Sequence, residues 1–144
     1  MSSGAPRLDA NQCFVCGPEN ENGLRLSFRI EDDVCRGSFT SAPHHVGFDG
    51  VTHGGIVFAV LDDAMANWFF LQGARGYTAK SEIRYRQPMA VGATIDVECR
   101  LLKRKGRLMM LSASATDRIS GKITAESDAS FMIEEFGDLA PAGG

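Results

Sequence analysis

A chain of 144 residues with 44% hydrophobic and 23% charged residues has the size and composition of one globular domain. Its 15 basic and 18 acidic residues leave a formal net charge of -3, which excludes the broad cationic face of a nucleic-acid or anionic-membrane binder. No apolar run is long enough to cross a bilayer and the polar opening MSSGAPRLDANQ lacks a signal-peptide core, so the expected setting is the cytoplasm.

Residues 1–12 are expected to be a flexible N-terminal segment. Cys13 to Gly23 is broken by Gly17, Pro18, Asn20 and Asn22 and reads as loop. The cysteines, Cys13, Cys16, Cys35 and Cys99, form no disulfide framework, which suits a reducing compartment. Leu24, Leu26, Phe28 and Ile30 alternate with Arg25, Ser27 and Arg29, the period of a strand buried on one face. Glu31, Asp32 and Asp33 then make a turn into a second strand, Val34 to Thr40, giving a hairpin.

Ser41 to Gly55 holds His44, His45 and His53 together with Pro43 and several glycines, too many breakers for a regular element, so it is expected as a structured loop. Gly55 to Gln72 follows without internal glycine or proline, and Gly73 offers a stop. Its apolar residues crowd nearly every face, which predicts a buried helix with Ile56, Val57, Val60, Leu61, Ala64, Met65, Trp68 and Phe69 toward the core. Four strands complete the pattern: Tyr77 to Arg86, Thr94 to Lys103, Leu108 to Thr116 and Ile123 to Ile133. Residues 137–144 read as a loose tail.

The implied architecture is α+β: one domain over residues 13–136, a six-stranded antiparallel sheet curled around one long helix. One helix cannot cover such a sheet on every side, and a long edge strand invites a second copy, so a homo-oligomer is expected, either a dimer or a dimer of dimers.

Candidate chemistry gathers where the helix begins. In Thr52-His53-Gly54-Gly55-Ile56 the glycines fall where backbone amides lack internal acceptors and the macrodipole is positive, a place suited to a polarised carbonyl oxygen. The plainer alternative is a tight turn against the sheet. Asp62 and Asp63 sit mid-helix among apolar neighbours, about 100° apart, and periodicity does not tell which borders the core or whether either does more than face solvent. Gly54 and Asp62 are roughly 12 Å apart at helical rise, too far to act on one carbonyl unless two helices pack antiparallel and each supplies half of a site. His44, His45, His53 and the Cys13/Cys16 pair raise zinc, but no tightly spaced second ligand pair follows, so no metal is expected and the cysteine pair reads as a buried turn.

Three blocks carry a resemblance to a known family: Cys13-Phe14-Val15-Cys16-Gly17 with Asn22-Gly23-Leu24; His45 through His53-Gly54-Gly55 to Leu61-Asp62-Asp63-Ala64; and Thr78-Ala79 through Ile83-Arg84-Tyr85-Arg86-Gln87-Pro88. Together they resemble the hotdog-fold thioesterases, in the branch of phenylacetate-pathway and mitochondrial thioesterase-superfamily members. The resemblance implies hydrolysis of acyl-CoA thioesters with no bound cofactor. It implies Asp62, nine residues after His53, as base or nucleophile, Gly54 as the oxyanion amide, Thr78 as the hydroxyl that positions water, and His53 as shaping the loop or binding near the thioester. Substrate-binding roles fall on His45, Gly55, Asp63, Arg84 and Arg86, the arginines being candidates for the CoA phosphates together with Lys80, Lys103, Arg104, Lys105 and Arg107. Val57, Val60, Trp68, Phe69 and Phe70 are expected to line or support the acyl channel. Where many relatives carry an asparagine six residues before the histidine this chain has Gly47, and His45 is the candidate to stand in. An acyl-CoA hydratase or dehydratase and a non-catalytic acyl-CoA binding module are the competing readings.

Overall fold

A computed structural model describes residues 7–139, and the regular elements follow the expected order. The strands are β1 (Arg29–Glu31), β2 (Val34–Thr40), β3 (Arg75–Tyr85), β4 (Thr94–Lys105), β5 (Leu108–Asp117) and β6 (Ile123–Glu135), and a single helix, α1 (Gly54–Phe70), lies between β2 and β3. All pairings are antiparallel in the sheet order β1-β2-β4-β5-β6-β3, so β1 and β3 form its edges. No helix among the described residues is long and apolar enough to cross a membrane.

Alternation builds the core. Ile95, Val97 and Cys99 on β4, Met109, Leu111, Ala113 and Ala115 on β5, and Ala125, Ala129, Phe131 and Ile133 on β6 are buried on the face that α1 covers. The helix answers with Val57, Val60, Leu61, Ala64, Met65, Trp68 and Phe69, all buried as the apolar spacing predicts, while Ile56 is only partly buried. Small alanines on the central strands leave room for these larger side chains. Burying a residue such as Leu61 or Phe131 contributes roughly 1.5–3 kcal/mol, so the helix is held by its packing more than by its intrinsic propensity.

The first hairpin differs from expectation. Only Arg29–Glu31 pairs with β2, across a two-residue turn in which Asp32 and Asp33 both take positive φ (52 and 65), the type I′ geometry that suits a twisted hairpin. Upstream, the amides of Leu24 and Leu26 are held by the carbonyls of Phe14 and Val15, each at 2.8 Å, and Arg25 sits at φ 51. Leu24, Leu26 and Phe28 still pack on the core, so the alternation reports burial correctly but the backbone bonds go to the Cys13–Gly17 turn instead of the sheet.

The Ser41–Gly55 stretch is structured, with a 3₁₀ turn at Pro43–His45 and isolated bridges from Val46 to Thr52 and from Val51 to Ala90. At the ends, Arg7 lies over the Phe70 ring (4.9 Å) and Asp9 accepts from Arg75 (3.0 Å). The Asp138 amide bonds the Gln72 carbonyl at 3.0 Å and Leu139 packs against the core. The rest of the expected N-terminal segment and tail lies outside the described residues.

Candidate active site

The start of α1 is organised by His53. Its backbone is extended (φ -57, ψ 129), its Nδ1 accepts the Gly55 N–H at 2.8 Å, and its carbonyl accepts from Ile56 and Val57 at 3.0 and 3.3 Å. Of the first four amides of the helix, three are therefore engaged. The fourth, on Gly54, has no acceptor among the described residues. Side-chain capping by histidine through Nδ1 assigns the proton to Nε2 whenever the cap is made. His53 thus caps the helix terminus and also lines the cavity beside it.

The Gly54 amide borders a cavity of about 800 Å³ lined by Phe48, His53, Gly55, Val57, Tyr85 and Met89 among others. The lining is mostly apolar with few polar groups, which is the usual make-up of a small-molecule site. Tyr85 donates its hydroxyl to the Gly54 carbonyl at 2.8 Å and so fixes the peptide that follows the free amide. The amino-acid sequence gives Tyr85 no evident role, because its strand parity is hidden by a bulge.

That bulge, between Thr78 and Lys80, decides which residues of β3 face the helix. Thr78 stands opposite buried Phe131, and after the extra residue Ala79 the pairing resumes so that Ile83 faces Ser127 and Tyr85 faces Ala125. Two residues seven apart could not share one face of a regular strand, whose side chains alternate; the bulge lets them. Thr78 accordingly donates to Asp62 Oδ1 at 2.8 Å while Tyr85 reaches Gly54, with β3 running alongside α1 in the opposite direction. Burial holds the Asp62 carboxyl above the ordinary carboxylate range, the Thr78 hydrogen bond pulls it partly back, and the nearby Cys13 adds a further upward push.

The expected site residues therefore separate into groups. His53, Gly54, Gly55 and Arg86 line the cavity, Arg86 while bonded to Glu126 at 2.8 and 3.0 Å. Asp62 and Thr78 form their own pair two helical turns away and do not line it. Asp63 turns elsewhere, accepting from Asn67 Nδ2 at 2.9 Å and from the Cys13 thiol at 3.5 Å. Arg84 lies in a separate hollow with Glu82 and Ser112, which Arg86 also borders. His45 is buried, its Nδ1 taking the Ala42 amide at 2.8 Å and its ring against Phe39, and it lines a separate hollow with Leu24 and Phe39 instead of this cavity. A Cβ on Gly47 would lie 3.2 Å from the His53 Cα, and a larger residue there would have to push the N-cap aside. Of the expected channel residues only Val57 reaches the cavity; Val60 and Phe69 are in the core, Trp68 bonds the Asp33 carbonyl at 2.8 Å, and Phe70 lies under Arg7 and Arg75. Trp68, Phe69 and Phe70 sit at the far end of a helix roughly 25 Å long, and Val60, nearer the start, points into the core.

The family description "thioesterase superfamily" matches residues 49–123, more than half of the chain, from within the loop before α1 through α1, β3, β4 and β5. The chain belongs to the thioesterase superfamily. It is 28% identical over 112 residues to the acyl-coenzyme A thioesterase THEM4 of Bos taurus, a match that takes in 75% of this chain and 45% of the bovine protein, so the chain spans less than half the length of that curated relative. In structure it is similar to the Escherichia coli PaaI protein from the phenylacetic acid degradation operon (TM-score 0.72, 15% identity, 79% of this chain and 83% of that one). It is also similar to a hypothetical thioesterase protein of Streptococcus pneumoniae solved with coenzyme A (TM-score 0.72, 13% identity, 77% and 90%). These two structures share the hotdog fold seen here. Variants of the pneumococcal protein have been solved with an aspartate or a threonine replaced by alanine, at the same spacing in that chain as Asp62 and Thr78 in this one.

Proposed function

We propose that this superfamily member hydrolyses acyl-CoA thioesters to the free acid and CoA in a site shared between two copies of the chain. The observation that carries the reading is the unpaired Gly54 amide on the wall of an apolar cavity, at the positive end of a buried helix. The thioester carbonyl oxygen accepts from that amide, which stabilises the negative charge that develops there when the carbonyl carbon is attacked. Asp62 of the partner subunit, held by its Thr78, takes the proton of the attacking water and passes it to the departing CoA thiolate, or attacks the carbon itself, expelling the thiolate and leaving an acyl-aspartyl anhydride that water then hydrolyses. Within one protomer the two groups are roughly 12 Å apart along the helix; antiparallel packing of two α1 helices brings each amide opposite a carboxylate. The match with an acyl-CoA thioesterase, the coenzyme A bound to the pneumococcal protein and its aspartate and threonine variants support this assignment of substrate and residues. The chemistry needs water and the chain's own groups, with no cofactor.

The test is release of free thiol from a panel of short, long and aromatic acyl-CoAs. Thiol should appear with at least one of them, and Asp62→Asn should lower kcat by about 10²–10⁴ without changing the fold. Loss of enoyl absorbance without thiol would indicate a hydratase, and tight acyl-CoA binding without turnover a carrier; either result ends the proposal. Equal turnover in Asp62→Asn would remove that residue from the chemistry.

A further inference from the structure

About 100° around α1 from the Asp62–Thr78 pair, the loop that precedes the sheet meets the helix. Cys13 Sγ, Cys16 Sγ and a carboxylate oxygen of Asp63 all lie within 4.8 Å of one another, with Cys13 Sγ 3.5 Å from Asp63 Oδ1. Tetrahedral zinc with bonds of about 2.3 Å to sulfur and 2.0–2.2 Å to oxygen separates its ligand atoms by roughly 3.5–3.8 Å, so the trio needs only small movements to surround one ion. The surrounding shell is also in place. The Cys16 amide points at Cys13 Sγ (3.5 Å) and the Gly17 amide closes the turn on the Cys13 carbonyl (2.9 Å), the Cys-x-x-Cys-Gly turn that aims two sulfurs at one point. Asn67 donates to both Asp63 Oδ2 (2.9 Å) and Cys16 Sγ (3.6 Å), and Arg7 reaches Cys16 Sγ at 3.4 Å.

We infer that Cys13, Cys16 and Asp63 form a binding site for a thiophilic divalent cation of the zinc type, with the fourth position left to water. Two sulfurs and one carboxylate suit this class of ion, where an all-oxygen set would suit magnesium or calcium. The cation displaces the thiol protons to solvent as it binds, and with two thiolates and one carboxylate around it the loaded site keeps one net negative charge, which the Arg7 guanidinium at Cys16 Sγ offsets. Its place in the fold is structural: it ties the Cys13–Gly17 turn to α1 one residue from Asp62, and none of its ligands lines the cavity.

The test uses the full, reduced chain with Zn²⁺ and Co²⁺ alone. One equivalent of Zn²⁺ should remain per chain after gel filtration and raise the thermal midpoint, and Co²⁺ should give a thiolate-to-metal absorption band. Cys13→Ser and Cys16→Ser should each abolish the band and the midpoint shift, and Asn67→Ala, which removes only the supporting amide, should weaken binding roughly 10-fold or more. Should the cysteine variants fail to fold, the wild-type Co²⁺ spectrum decides by itself. No thiolate band in fully reduced wild type, or binding that persists unchanged without both cysteines, as an imidazole site would give, overturns the inference. These readouts are independent of turnover, so thioesterase activity can fail while the metal site stands, and the reverse.

Discussion

Asp62 and Asp63 are consecutive residues with the same side chain, and a turn of about 100° between them sends one to the Thr78 hydroxyl on β3 and the other to Cys13 and Asn67. Burial raises both carboxyls, but their partners differ in kind, a neutral donor in one case and an acidic thiol in the other. His45 illustrates the same dependence on surroundings. Its imidazole is held below the ordinary value of 6.5, first by burial and then by the adjacent His44, and it is neutral where its Nδ1 accepts the Ala42 amide. The sign of its linkage follows. A histidine whose folded pKa is depressed binds fewer protons than in the unfolded chain between the folded value and 6.5, so stability is lost as pH falls through that window. His45→Asn keeps an acceptor in the place of Nδ1 but cannot titrate. Urea midpoints measured between pH about 7 and about 5 should decline for the wild type and flatten for the variant; parallel curves would show that His45 contributes nothing to acid sensitivity. None of this was legible in the three-histidine loop, because the histidines differ only in what they touch.

At the scale of elements, the site depends on one helix lying beside one bulged strand. The helix was readable, since an unbroken apolar run ending at a glycine fits little else, and its observed start lies one residue before the expected one because His53 caps it. The bulge at Ala79 was not readable: Thr78-Ala79-Lys80-Ser81 carries no glycine or alternation break, and the shift exists only in the pairing with β6. Gly54 occupies the first position of α1, after an extended residue, and these are the two conditions under which proline fits a helix without strain. Gly54→Pro therefore deletes the one free amide and leaves the helix intact. Circular dichroism and thermal midpoint should be close to wild type, while kcat on the best acyl-CoA falls by about 10²–10³. A folded proline variant with undiminished turnover would exclude the Gly54 amide as the oxyanion donor.

For the whole molecule, the question is whether two copies are needed for one reaction. In the proposed dimer each cavity takes Gly54 from one protomer and Asp62 from the other, so a mixed dimer of Asp62→Asn and Gly54→Pro carries one doubly damaged site and one intact site. Unfolding and refolding the two inactive variants together should restore about a quarter of wild-type activity, half of the dimers being mixed and half of their sites whole. No recovery, despite mixed dimers seen by mass spectrometry, would place both groups in one subunit.

The helix, the six strands in their succession along the chain, and two aspartates on the helix with a glycine pair at its entrance were readable from the amino acids, because hydrophobic period and turn chemistry are local properties of the chain. Tertiary structure alone decided that Leu24 and Leu26 bond a loop instead of a strand, that Thr78 and Tyr85 share a face, and that Asp63 meets Cys13 and Cys16 from far along the chain. The physical reason is that a backbone donor or a carboxylate is satisfied by whichever partner the packed fold brings within hydrogen-bond distance, and sequence spacing does not encode that distance.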